Sequence, residues 1–225
     1  MKLTESTIDL LKNFSSINQS IVFNPGKKFS TVSALKTVFA TAEITEDFGQ
    51  KFAIYDLPRF IQTLGLFNDP ELDLQEKYVR IRDEGKTRTD YYYTDSSMVV
   101  SPPEKGITLP DADVDFDLSA EAIESLMRAG SVLQCPEILL RGANGVISIE
   151  AVDSKQKGGG DTFYLEVGET DHEFMVYIAI DKMKLLNLDY NVRLGSMPNG
   201  ACLAQFKSDV VDYVVAAEAN STFKG

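Results

Sequence analysis

Alternation of apolar and polar residues recurs in several stretches of the chain. It runs through residues 39–44, 78–83, 87–93, 146–152, 163–167, 190–194 and 213–217, the pattern of strands with one buried face. Turn chemistry separates these runs at Asn24-Pro25-Gly26, Asp83-Glu84-Gly85, Ala143-Asn144-Gly145, Gly158-Gly159-Gly160 and Pro198-Asn199-Gly200. Such turns join antiparallel neighbours. A helical period is confined to short stretches. Residues 4–16 turn Ile8, Leu11 and Phe14 to one face, residues 57–67 turn Phe60, Ile61 and Leu64, and residues 119–129 turn Ile123, Leu126 and Met127. A last, marginal turn or two is predicted over 181–186, around Met183 and Leu186.

The helices are placed regularly. "KFAIYDLPRFIQTL" (51–64), "DVDFDLSAEAIESLM" (113–127) and "EFMVYIAIDKMKLL" (173–186) share one plan. A strand ends at a residue suited to capping (Asp56, Ser119, Asp181), and a short amphipathic helix follows at once. The helix at 4–16 fits as a first copy whose leading strand is short or missing. About three strands follow each helix, so the chain predicts four helix-plus-strands units paired into two similar domains. The paired prolines and nearby glycine of residues 96–112 mark a stiff connector between a domain at 1–95 and one at 113–225. Within it, Met98, Val99 and Val100 are apolar enough to lie against a domain surface. The predicted class is α+β: two duplicated domains, helices on one face of antiparallel sheets.

Composition narrows the chemistry. A formal charge of −12 argues against broad basic gripping of nucleic acid but leaves room for a local basic stripe. Two cysteines, Cys135 and Cys202, suit buried thiols in a reducing compartment. No apolar run approaches the roughly 20 residues of a membrane span, and the first residues lack a signal-peptide core. The expected setting is cytoplasmic, without membrane association.

The acidic series Asp113, Asp115, Asp117, Ser119 and Glu124 has the spacing of a calcium loop. Leu118 stands where that loop needs glycine, and Pro110 with the alternating residues denies an entering helix. A strand with Val114, Phe116 and Leu118 inward is the better reading, and the matching stretch at 51–56 carries no acidic series. A metal-dependent enzyme is therefore the remote alternative. His172 has no nucleophile partner in any recognisable motif. "KQKGGGDT" (155–162) lacks the ending of a phosphate loop and reads as a hairpin tip. In 90–93, Tyr91 and Tyr93 share one face and Tyr92 the other, which suits sheet packing or a subunit edge as well as base stacking. On the helical segments Lys12, Arg59, Arg128, Lys182 and Lys184 avoid the predicted core, bringing those segments near neutrality in an acidic chain.

The repeat plan resembles the DNA sliding clamps, and "LLKNFSSIN" (10–18), "AIYDL" (53–57) and "YVVAAEANST" (213–222) resemble the clamps of T-even-type bacteriophages and their relatives. Similarity of plan covers the whole chain; similarity of sequence weakens over 68–112 and 154–162. The resemblance implies a processivity factor without catalytic site, metal or cofactor. Three subunits would close head to tail into a ring around duplex DNA in the infected host cell. Lys12, Arg59, Arg128, Lys182 and Lys184 would line the hole. Thr89, Tyr91 and Tyr93 of one subunit would meet Phe163 and Leu165 of the next. Val99, Val100, Val215 and Ala217 would take apolar partner peptides. The implied partners are duplex DNA, the replicative polymerase, an ATP-dependent clamp loader and viral late-transcription proteins. A β-rich virion oligomer without DNA is the alternative.

Overall fold

A computed structural model describes residues 1–103, 106–107, 109, 112, 114–156, 160–197 and 200–224. Asp111, Asp113, Gly158, Gly159, Pro198 and Asn199 lie outside the described residues, as do parts of the connector. The chain divides into two compact units, Met1–Gly106 and Ile107–Gly225.

The first unit runs α1 (Glu5–Ile17), β1 (Ile21–Phe23), β2 (Gly26–Val32), β3 (Val38–Phe48), β4 (Phe52–Ile54), α2 (Leu57–Leu64), β5 (Glu71–Leu74), β6 (Tyr78–Arg82) and β7 (Arg88–Tyr92). The second runs β8 (Val114–Leu118), α3 (Ala120–Leu133), β9 (Glu137–Ala143), β10 (Val146–Val152), β11 (Phe163–Glu169), β12 (Glu173–Ala179), β13 (Tyr190–Ser196), β14 (Cys202–Lys207), β15 (Val211–Ala216) and β16 (Thr222–Lys224). Every strand pairing within a unit is antiparallel.

In the first unit β1 pairs with β4, β2 with β3, and β5, β6 and β7 form a three-stranded sheet in that order. The chain start closes the β5 edge. The Met1 amino group donates to the Leu72 carbonyl, the Leu72 N–H donates to the Met1 carbonyl at 2.7 Å, and Lys2 bridges Glu71. In the second unit β11, β10, β9, β12 and β16 form one sheet, and β15, β14, β13 and β8 run side by side in another. The short β16 closes the β12 edge, with Phe223 stacked on Phe174 at 5.7 Å. In the sheets closed by Met1–Lys2 and by β16, this leaves β7 and β11 as the open end strands.

Asp56 and Ser119 cap their helices as expected, and Thr4 does the same for α1. Thr4, Asp56 and Ser119 each accept from the N–H three residues on. Each helix then buries one stripe: Thr7, Leu10, Leu11, Phe14 and Ile17 in α1, Leu57, Phe60 and Leu64 in α2, and Ala122, Ile123, Leu126 and Gly130 in α3. Ile8, Ile61 and Met127, expected inward, lie half-buried at the stripe margins. The first core is aromatic, with Phe23 on Phe52 at 4.7 Å and Phe52 on Tyr93 at 4.8 Å. The second is aliphatic around Ile138, Leu140, Ile149, Val176 and Ile178, all fully buried. Complete burial of such a side chain contributes about 1.5–3 kcal/mol.

Two details extend the turn reading. Asn144 and Gly145, at φ 55° and 85°, make the tight β9–β10 turn in the left-handed region that Gly and Asn tolerate best. β10 and β11 pair antiparallel, as expected of strands joined by a hairpin. The fourth helix is where the pattern misleads. Over 181–186 the chain makes only a 3-10 turn, Ile180–Lys182, and Asp181 does not cap it; Ala179 stands at that position without a side-chain bond. Tyrosines from other strands supply the missing hydrogen bonds. The Leu186 N–H donates to the Tyr213 hydroxyl at 3.3 Å, and the Tyr190 hydroxyl donates to the Leu186 carbonyl at 2.8 Å. With both backbone groups satisfied this way, nothing drives a further turn of helix.

Candidate functional site

Three classes of residue were expected to carry function: helix cations, edge-strand residues and an apolar patch. On the helices, Lys12, Arg59 and Arg128 are exposed, away from the buried stripes. Lys12 pairs with Asp9 at 2.9 Å, and Arg128 pairs with Glu124 one turn back. Exposed pairs of this kind are worth about 0.3–0.5 kcal/mol, so either cation can exchange its carboxylate for another anion. Arg59 makes no ion pair among the described residues and borders a groove of about 400 Å³ between α2 and β7.

Lys182 is different. Its ammonium donates to the Ala216 carbonyl at 3.0 Å and to Glu218 at 2.7 Å, with its side chain 17% exposed. It ties the 3-10 turn to the chain leaving β15, so its charge is neutralised inside its own unit. Lys184 is exposed, but on irregular chain instead of a helix.

The edge strands hold surprises of facing. Tyr91 points to the helix side: its hydroxyl donates to the Asp56 carbonyl at 3.0 Å, and its ring meets Phe60 edge-on at 5.2 Å. Burial pushes its hydroxyl pKa up. Tyr93, beyond the end of β7, packs on Phe52 and accepts from Gln50 at 3.4 Å; burial pushes it up to about 12. Tyr93 therefore serves the core of its own unit, and Thr89 is half-buried on the edge strand. The exposed tyrosine of β7 is Tyr92; strand alternation separates it from its neighbours without saying which side faces out. On β11, Phe163 and Leu165 face α3 half-buried, while Tyr164 is outward and donates to Glu166 at 3.1 Å. Exposed Val132 of α3 adds to the apolar surface near Phe163.

Of the four apolar patch residues, Val99 is buried with Val22 and Ala53, and Val215 is fully buried in β15. Ala217 is half-buried, its N–H donating to the Cys202 carbonyl at 3.0 Å. Only Val100 offers exposed apolar surface, beside the more exposed Met98. The strand reading of the aspartates holds. Val114, Phe116 and Leu118 are buried, and Asp115 and Asp117 are exposed, both accepting from Asn191. His172 sits in the β11–β12 turn, half-buried against the Phe223 ring.

Residues 115–219 match the family model described as gp45 sliding clamp, C terminal. Across nearly its whole length the chain is 33% identical to the "Sliding clamp" of Vibrio phage KVP40 (97% of this chain, 100% of that one). It is 32% identical to that of Escherichia phage RB69 and 30% identical to that of Enterobacteria phage T4, each over 99% of both chains. Its fold is similar to A. fulgidus PCNA, solved with the C-terminal region of FEN-1: TM-score 0.71, 13% identity, 98% of each chain. It is also similar to the Helicobacter pylori beta clamp bound to a DNA ligase peptide: TM-score 0.70, 14% identity, 97% of this chain and 65% of that one.

Proposed function

The chain belongs to the phage sliding-clamp family, and on that footing we propose that three copies join head to tail into a ring that encircles duplex DNA. The ring tethers the viral replicative polymerase for processive synthesis and does no chemistry of its own. One observation carries the assembly: each unit ends a sheet in an open strand, β7 in one and β11 in the other. An open strand offers unpaired N–H and C=O groups to another chain, and a closed head-to-tail ring pairs these two edges with each other.

Lys12, Arg59 and Arg128 are the lining cations of this reading, with Lys184 a further candidate. A ring holds DNA by topology, so its lining needs little phosphate affinity, and strong binding would slow sliding. The intrahelical partners of Lys12 and Arg128 suit this, because Asp9 and Glu124 compete with every phosphate for the cation. The formal charge of −12, carried mostly away from these helix faces, repels DNA from the rest of the surface. Val100 and Met98 are the surface offered to an apolar partner tail, with Val99 and Val215 as core beneath the connector and β15. The ATP-dependent loader and the late-transcription proteins of the virus complete the partner set, in the cytoplasm of the infected cell.

The test is a polymerase run-length assay on primed DNA with a loader. Lys12→Glu with Arg128→Glu should shorten runs at least tenfold while light scattering still finds three chains per particle. Unchanged run length would overturn the lining assignment; a wild-type monomer at high micromolar concentration would overturn the ring.

A further inference from the structure

The connector begins as fastened chain. The Thr94 N–H donates to the Ala53 carbonyl at 3.0 Å, and Asp95 accepts from the Ser97 N–H at 2.8 Å to start a 3-10 turn, Ser96–Met98. Val99 follows in extended backbone, at φ −111° and ψ 129°, and is buried with Val22 and Ala53. With Val99 turned inward, Met98 and Val100 on either side of it are 65% and 44% exposed. They form an apolar pair astride a buried plug.

Asn18 fastens the next carbonyl. This residue ends α1, its N–H donating to the Phe14 carbonyl at 2.9 Å. Its side-chain Nδ2 donates to the Val100 carbonyl at 3.0 Å and to the Val32 carbonyl of β2, also at 3.0 Å. Its Oδ1 accepts from the Ser20 N–H at 3.0 Å and from the Ser20 hydroxyl at 3.1 Å. A primary amide offers two N–H donors and two lone pairs, so every hydrogen-bonding group of this side chain is engaged. One side chain thus joins the end of α1, the end of β2 and the connector. Water competes for the exposed Val100 carbonyl, so that bond contributes placement more than stability.

We propose that Asn18 is a positioning residue for partner capture: by clipping the Val100 carbonyl to the ends of α1 and β2, it holds Met98 and Val100 in the arrangement that an apolar partner tail meets. This rests on Met98 and Val100 being the partner surface, and it adds the residue that sets their geometry. A segment ordered beforehand loses little conformational freedom when the tail lands, and the difference appears directly as affinity. Without the clip, Val100 is free to turn about its own backbone, and each encounter must order it again.

The experiment measures equilibrium binding of the full chain to the replicative polymerase of the same virus, without DNA. Asn18→Asp keeps the size and the acceptors for Ser20 but removes both donors; Asn18→Ala is the second variant, free of any charge effect. Each should weaken binding about tenfold. Met98→Ser with Val100→Ser removes the surface itself and should weaken binding about tenfold or more. Because Asn18 acts through that surface, adding Asn18→Asp to the serine pair should weaken binding by less than about threefold further. Amide exchange is the second readout: in Asn18→Asp it should accelerate about tenfold across 96–101 and stay unchanged over α1. Circular dichroism and light scattering check that each variant folds and assembles as wild type does. A serine pair that binds normally overturns the partner surface and this positioning role with it. A weakened serine pair beside Asn18 variants that bind within about twofold of wild type, or that lose about tenfold again in the serine background, overturns the positioning role and leaves the surface standing. Unchanged exchange across 96–101 does the same.

Discussion

Replacing Lys182 by Met tests whether this cation is a strut or a DNA contact. Methionine keeps the length and apolar stem but cannot donate. The Ala216 carbonyl loses a charged donor at 3.0 Å, worth about 1 kcal/mol where the carbonyl can partly rehydrate. Glu218 loses its partner at 2.7 Å, but its side chain is 34% exposed, so water recovers much of that interaction. A further 0.5–1 kcal/mol, roughly, is reasonable for a pair between surface and buried limits. The total of about 1.5–2 kcal/mol corresponds to a fall in Tm of about 6–8 °C for a unit of this size. Thermal unfolding by circular dichroism gives the shift, and the run-length assay gives the function. Glu218→Gln, which keeps an acceptor for the ammonium, should lose less than Lys182→Met. The reasoning fails if Lys182→Met leaves Tm within about 1 °C of wild type yet shortens polymerase runs as the Lys12 and Arg128 reversals do. Lys182 would then contact DNA after all.

Two further outcomes follow from the packing. Glu46 accepts from the Thr4 N–H, from Thr7 at 2.8 Å and from Thr45 at 3.0 Å, fastening the start of α1 to β3. Burial favours the protonated acid, but these bonds outweigh it and hold the carboxyl below its usual range. Its contribution is therefore complete above about pH 4.3, the unfolded value, and is lost as pH falls through the lower folded value. Glu46→Gln should lower stability by about 1 kcal/mol at neutral pH, and urea titrations should show that gap closing toward pH 3; a constant gap refutes it. Gly142→Ala would drive a methyl into the Phe174 ring and to 2.6 Å from the His172 carbonyl, so a loss of about 1–3 kcal/mol is expected. A change in denaturation midpoint worth under about 0.5 kcal/mol would show that β9 and β12 shift freely there.

The sequence reading succeeded where a local rule and the tertiary outcome agree. β8, with its inward Val114, Phe116 and Leu118, is half-buried, so alternation reports it directly. The caps at Asp56 and Ser119 are local chemistry and stand as read. β1 and β4 are buried at every position, which erases the alternation that would reveal them, and β9 is buried over its first four residues. The stretch 181–186 has helix-like composition, but the backbone groups of Leu186 are satisfied by hydroxyls of Tyr190 and Tyr213, contacts set by the tertiary fold. The same limit affected the candidate sites. Val99 and Val100 are neighbours of equal character, and only the partners Val22 and Ala53 decide which is buried. Lys182 faces outward only on a helix face; its segment is a single 3-10 turn, which sets the ammonium on Ala216 and Glu218.

The strand ends have a consequence for stoichiometry. Met1 and Lys2 occupy one edge of the β5–β6–β7 sheet, and β16 occupies one edge of the five-stranded sheet. Each of these two sheets is thereby reduced to a single reactive side. Through these two sheets the chain is, in polymer language, a bifunctional monomer with two unlike ends, and such monomers give linear or cyclic products but no branches. Stripping β16 by truncating before Thr222 would raise the valence of the second sheet, exposing the β12 edge and turning a self-limiting assembler toward a cross-linking one.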